Sequence, residues 1–176
     1  SNGAGDLEVT NDKSIVAWGR DAMFFALKVD STLAPVWAKR FPNNGGFRFI
    51  KELPGGDLLA GFDMDTAGAC VARLNANGSF LWCKSYMRPM GRMHDAVIGS
   101  DSSFIIMGYT GSIPQKLFMM KLDGEGEVQW CRGYDNGPNA WASLYPSRIV
   151  PTQDGKLAVL ATLGQPQFPY FYRPFL

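Results

Sequence analysis

Ala69-Cys70-Val71-Ala72-Arg73-Leu74-Asn75 leads, seven residues after Asn75, to Trp82 in Leu81-Trp82-Cys83-Lys84. The same arrangement stands twice more in the chain. Phe24-Phe25-Ala26-Leu27-Lys28-Val29-Asp30 precedes Val36-Trp37-Ala38-Lys39, and Leu117-Phe118-Met119-Met120-Lys121-Leu122-Asp123 precedes Gln129-Trp130-Cys131-Arg132. The tryptophans recur at intervals of 45 and 48 residues. Chance rarely holds an acid or amide, a Trp and a following base in one register three times, so the chain is an internal repeat.

Working outward from that stretch, each unit reads as four short strands. The alternating run that ends in Lys or Arg is the first. Polar turn residues follow, as in Asn75-Ala76-Asn77-Gly78 and Asp123-Gly124-Glu125-Gly126, and the Trp strand is the second. A third strand is expected at Phe47 to Leu53, Met93 to Ile98 and Ser143 to Val150, and a fourth at Leu58 to Phe62, Phe104 to Tyr109 and Leu157 to Leu163. No stretch has a helical period, and the 20 Gly and 11 Pro punctuate too often for long helices. Four antiparallel strands per repeat of about 46 residues is the signature of β-propeller blades. The fold class read from the chain is therefore all-β, with about three complete blades plus a partial one. The expected divisions are outer strands of a preceding blade at 1–21, blades at 22–66, 67–111 and 112–163, and a remainder at 164–176. Each repeated Trp is expected to be buried between blades, where truncation to Ala would cost about 3–5 kcal/mol.

A strand ending Lys-x-Asp, a short turn, a Trp followed by a base and a later Asp-Gly-x-apolar-apolar strand together resemble the propeller repeats of secreted and surface bacterial proteins. These are related in shape to the quinoprotein-like propellers, and the resemblance covers about residues 13–163. It implies a secreted or cell-surface location. It implies no cofactor, because none of the quinoprotein cofactor residues can be matched here.

The ends of the chain depart from the repeat. Leu7-Glu8-Val9 and Ser14 to Gly19 read as a third and a fourth strand. Ser1-Asn2-Gly3-Ala4-Gly5 looks like a processed end or the edge of an excised piece, with no signal peptide or lipidation motif before it. Gln165 to Leu176 carries no Lys-x-Asp and no Trp, and Pro166, Pro169 and Pro174 each remove a ladder donor. This tail either starts a further blade in an arc of a larger propeller or closes a four-bladed ring by pairing with the N-terminal strands.

Composition narrows the function classes. Of 176 residues, 46 % are hydrophobic and 19 % charged, which excludes a disordered chain. No apolar run reaches the roughly 20 residues of a membrane helix. Seventeen basic against sixteen acidic residues give a net charge of +1, which supplies no general field for nucleic acid.

Little in the sequence points to chemistry. His94 is the one histidine, it lies beside Asp95, and no Ser sits in a Gly-x-Ser-x-Gly elbow, so the His-Asp pair reads as structural. One His and three scattered Cys lack zinc-ligand spacing. Asp123-Gly124-Glu125-Gly126-Glu127 reads as a hairpin turn rather than a calcium loop, and Asp63-Met64-Asp65 as a solvated loop. Asn77-Gly78-Ser79 is a formal glycosylation sequon in favoured turn chemistry, and Asp65-Thr66-Ala67 resembles a short O-glycan acceptor. If Leu74 faces Ser79, Cys70 sits opposite Cys83, as Phe25 does Ala38 and Phe118 does Cys131. Free thiols are expected at 70 and 83, and a buried one at 131.

The function expected is a non-enzymatic propeller module, either binding protein or glycan or serving as a structural part of a secreted or surface assembly. The alternative is a segment of a larger hydrolase or quinoprotein-type oxidoreductase. Its partners would be another protein or the remainder of a larger propeller, with glycan as a further candidate. The loops that differ most between units should carry binding. They place Met87, Arg88, Met90 and Arg92 beside one another, and Trp141 in the following loop.

Overall fold

The computed structural model describes residues 3–20, 23–41, 46–64, 68–86, 90–111, 114–135, 137, 143–164 and 172–175, of which 3, 4, 90 and 172–175 are described by their backbone alone. Fifteen strands follow one another, and no α-helix lies among the described residues. They are β1 Gly3–Val9, β2 Ile15–Arg20, β3 Phe24–Val29, β4 Pro35–Phe41, β5 Gly46–Glu52, β6 Leu58–Met64, β7 Gly68–Leu74 and β8 Phe80–Tyr86. The remainder are β9 Met90–Ile98, β10 Phe104–Thr110, β11 Leu117–Leu122, β12 Val128–Tyr134, β13 Ser143–Pro151, β14 Leu157–Gly164 and β15 Tyr172–Phe175. They form antiparallel sheets in chain order: β1–β4, β5–β8 and β9–β12 with four strands each, and β13–β15 with three.

The sheets are out of phase with the sequence units by two strands. Residues expected as the tail of an earlier blade, 1–21, join the next two strands to make the first complete sheet. The chain passes from sheet to sheet after Phe41, Tyr86 and Tyr134, not at the boundaries expected near 66 and 111. Periodicity identifies the strands, but both kinds of connection are short and rich in turn residues, so it leaves open which of them turns back. The tail is corrected too. β15 pairs with β14, Pro174 opposite Thr162, so it adds a third strand to the sheet of β13 and β14 instead of starting another or pairing with the N-terminal strands. It lies at a sheet edge, where Pro is tolerated.

Seven hairpin loops share one construction: 10–14, 30–34, 53–57, 75–79, 99–103, 123–127 and 152–156. The N–H of the first loop residue donates to the carbonyl of the fifth, and the N–H of the fourth to the carbonyl of the first. The fourth residue takes a left-handed conformation, with φ of 62° at Lys13, 66° at Leu33, 88° at Gly56, 71° at Gly78, 61° at Ser102, 79° at Gly126 and 77° at Gly155. Asn75 therefore faces Ser79, and the register slips once more at a bulge where Leu81 is the extra residue. The same bulge recurs at Val36 and Gln129.

These two displacements overturn the expected cysteine pairing. Cys70 lies opposite Ser85 and Cys83 opposite Ala72. In the other sheets Phe25 faces Arg40 and Phe118 faces Gly133. All three cysteines are free, but Cys131 is exposed rather than buried, because it lies on the outward edge strand β12.

The chain divides into two compact units, Ser1–Tyr86 and Met87–Leu176. In the first unit, Val16, Trp18 and Ala26 of one sheet pack with Ile50, Leu58, Ala60, Phe62, Cys70, Ala72 and Leu74 of the next. In the second unit, Met107 and Leu117 pack with Leu144, Ile149 and Ala161. The strands alternate as half-buried sheet should: Phe24, Ala26 and Lys28 of β3 are buried, with partly exposed residues between them.

Candidate functional site

The repeated residues are occupied in building the sheets. The base that ends each first-strand run reaches an aspartate in the preceding hairpin: Lys28 to Asp12 at 3.0 Å, Arg73 to Asp57 at 2.8 Å and Lys121 to Asp101 at 3.4 Å. The following Asp or Asn closes its own loop. Asp30 Oδ1 accepts the N–H groups of Thr32 and Ala34, Asn75 Oδ1 those of Asn77 and Ser79, and Asp123 Oδ1 those of Glu125 and Glu127, at 2.8–3.0 Å. Asp123 thus serves a hairpin, as its sequence suggests.

The tryptophans are half-buried, not buried, because they stand on edge strands. Trp37 packs against the core of the first unit, and its Nε1–H donates to the carbonyl of Ala76, in a hairpin of the neighbouring sheet, at 2.9 Å. The base two residues on shares the same strand face. Lys84 Nζ lies 5.7 Å from the Trp82 ring centroid and the Arg132 guanidinium 5.2 Å from that of Trp130, both within cation–π range. Lys39 instead bonds Ser79 Oγ at 3.0 Å.

A feature the repeat does not announce is a second bulge, in the first strand of every sheet. It makes Gly5, Arg48, His94 and Ser147 the extra residues. A bulge bends its strand and re-aims the side chain it carries. The four sheets hold four different residues at this re-aimed position. Arg48 pairs with Asp63.

In the second unit His94 opens a run of rings. Its imidazole centroid is 5.4 Å from that of Tyr109, and Tyr109 lies 5.8 Å from Tyr145 at an interplanar angle of 76°. The run crosses from β9 and β10 to β13. Tyr145 is exposed, and its ring lies over Gly164, where an added Cβ would come within 2.6 Å of Cε2. Arg92 is exposed and directly opposite Tyr109, so cation and phenol share a sheet face.

Asp95, next to His94, is buried and engaged elsewhere. Its Oδ1 accepts the N–H of Ala96 at 3.0 Å, its Oδ2 accepts that of Ile149 at 3.1 Å, and Arg148 Nη1 is 3.8 Å away. The carboxylate ties β9 to β13. No cluster of three or more His, Cys, Asp or Glu with metal-binding geometry occurs among the described residues.

Of the binding residues expected from sequence, Arg92 joins this patch. Met90 begins β9 opposite Thr110, while Met87, Arg88 and Trp141 lie outside the described residues. Sequence reading missed Tyr109 and Tyr145, which sit in strands that look like ordinary core. It read His94 as a structural partner of Asp95 and not as a binding residue, because the bulge that turns it is invisible in the alternation.

No family model matches the sequence, and no curated protein matches it. Solved structures do. A protein of unknown function from Bacteroides caccae aligns with a TM-score of 0.63 and 10 % identity over 100 % of this chain and 60 % of its own. The WD40 domain of Neurospora crassa Pan2 aligns with a TM-score of 0.67 and 12 % identity over 99 % of this chain and 50 % of its own. A luciferin-regenerating enzyme reaches 0.50 and 15 % identity over 97 % and 60 %. The chain therefore spans about half to three fifths of the length of each. At such identities the likeness shows the fold alone, and with the sheet order it makes this chain a β-propeller repeat protein.

Proposed function

We propose that this propeller segment is a binding module for a partner protein, docking through the His94–Tyr109–Tyr145 run with Arg92 at its side. The observation that carries the reading is the ring run itself. Tyr and Arg are the residues on which interface energy concentrates, since each offers a broad apolar face with a polar tip. The patch also lies at the re-aimed, non-repeating position, where a repeat fold has freedom to differ. A binding role rather than a catalytic one is supported by Asp95, whose oxygens hold the backbone of Ile149 and Ala96. The secreted or surface location implied by the repeat resemblance belongs to this proposal and is checked by fractionating the source cells.

The test compares partner capture by the wild type and by Tyr109→Ala/Tyr145→Ala, with circular dichroism as a control for folding. A partner held by the wild type and lost by the folded variant supports the reading. Equal capture by both refutes it.

A further inference from the structure

The first unit contains a cavity of about 200 Å³ between its two sheets. Five phenylalanines line it, Phe24, Phe41, Phe47, Phe62 and Phe80, completed by Met64 and Cys83. Phe47 is the hub. Its centroid is 5.9 Å from Phe24, 5.2 Å from Phe41 and 5.8 Å from Phe62, at interplanar angles of 60°, 85° and 69°. Phe41 meets Phe80 at 5.4 Å and 71°. Rings locked edge to face hold one another in place, so the space is formed before anything enters it. Phe80 is 47 % exposed and Cys83 is exposed, which gives the cavity a way in from solvent.

We propose that this cavity binds a small, uncharged aromatic molecule. A dry apolar cavity of about 150 Å³ accepts benzene, so this one takes a benzene ring with a short substituent or a small fused ring, about eight or nine non-hydrogen atoms in all. Among the described residues the lining holds no ionisable side chain other than the thiol, and a charged ligand would lose its hydration with nothing in return. Five ring walls and the sulfurs of Met64 and Cys83 favour a π-system over an aliphatic chain, because ring edges and sulfur both interact well with a ring. Partial desolvation of the sulfur on its cavity side pushes the Cys83 thiol up from its ordinary value, so it stays protonated and holds the ligand by contact, without a covalent step. The site is separate from the ring run of the second unit, so either can fail without the other.

The probes are toluene and indole, with benzoate and benzylamine as charged counterparts, titrated into the full chain and followed by amide chemical shifts. Saturable shifts confined to the first unit are expected for toluene and indole, with the charged pair at least tenfold weaker. Cys83→Phe, which places a ring at the entrance, should weaken toluene at least tenfold. If that variant does not fold, protection of Cys83 from alkylation by toluene in a Cys131→Ser background serves instead. No saturable binding of toluene or indole, benzoate equal to toluene, or no loss on blocking position 83 would each overturn the proposal.

Discussion

Asp95 on β9 accepts the backbone N–H of Ile149 on β13 at 3.1 Å, and so couples two sheets of the second unit through one buried carboxylate oxygen. A donor on the edge strand β13 that would otherwise be buried unmatched is thereby satisfied. Asp95→Ala leaves that N–H without its acceptor and should cost about 1–3 kcal/mol in urea unfolding. Asp95→Asn keeps a carbonyl oxygen there and should cost clearly less. Equal losses would mean that the charge, not the hydrogen bond, is what matters.

Gly108 stands where a side chain has no room. A Cβ there would lie 2.2 Å from the carbonyl oxygen of Arg92 and 2.7 Å from the Phe118 ring. The backbone oxygen cannot swing away as a side chain can. Gly108→Ala should therefore destabilise the fold by about 3 kcal/mol, at the upper end of what overpacking costs. At Gly61 the nearest atoms belong to the Phe49 ring, the first at 2.2 Å, so Gly61→Ala combined with Phe49→Leu should recover much of the loss of Gly61→Ala. Thermal melts of the three proteins check this.

The hairpin loops predict a gain. Leu33 is exposed and holds φ at 66°, a conformation that costs a side-chain-bearing residue about 1–2 kcal/mol. Leu33→Gly should stabilise by roughly 0.5–1 kcal/mol once the greater freedom of glycine in the unfolded chain is subtracted. Gly126→Leu, at the equivalent place, should do the reverse.

Trp37 offers a test of the half-buried position. Trp37→Phe keeps most of the packing but removes the Nε1–H bond to Ala76, and should cost about 0.5–1.5 kcal/mol. Trp37→Ala should cost less than the 3–5 kcal/mol of a fully buried aromatic.

Stability should fall in acid for a specific reason. Hydrogen bonds from the Ser103 hydroxyl and N–H, with Lys121 nearby, lower Asp101 to about 2. Asp12 is lowered by Thr10, Lys28 and Ser14, and Asp30 by Thr32 and Ala34. A depressed folded-state pKa means that the unfolded chain binds the proton more tightly. The stabilisation is therefore complete above the ordinary value of 3.8 and is lost as pH falls toward about 2. Melting temperature should be level from pH 7 to 5 and drop between 4 and 2, with Asp101→Asn showing a shallower drop.

The sequence discloses what repeats and hides what does not. The Lys-x-Asp pairs are legible because each makes a local, recurring bond to a turn aspartate or a loop N–H, and two of the three Trp-x-base pairs because the base lies over the neighbouring ring. The sheet phase is hidden because it depends on which of two similar loops turns back. The cysteine register fails because the hairpin loop is one residue longer than assumed and the bulge at Leu81 adds another. The phenylalanine cavity draws on residues from 24 to 80 whose meeting depends on how two sheets pack. Arg92 was legible as an exposed cation near a variable loop, while Tyr109 and Tyr145 look like core until the strands are paired.

The recurring extra residue at Val36, Leu81 and Gln129 has a consequence for life in a crowded solution. β4, β8 and β12 are edges, and Val36, Leu81, Phe80 and Val128 expose apolar surface along them. A straight edge of that kind would template the addition of further chains, as fibrils grow. With one residue too many, each edge is out of step with any regular strand laid beside it, and Lys39, Lys84 and Arg132 add like charges that meet across such a contact. The bulge acts as a chain terminator for polymerisation, present on the last strand of each four-stranded sheet.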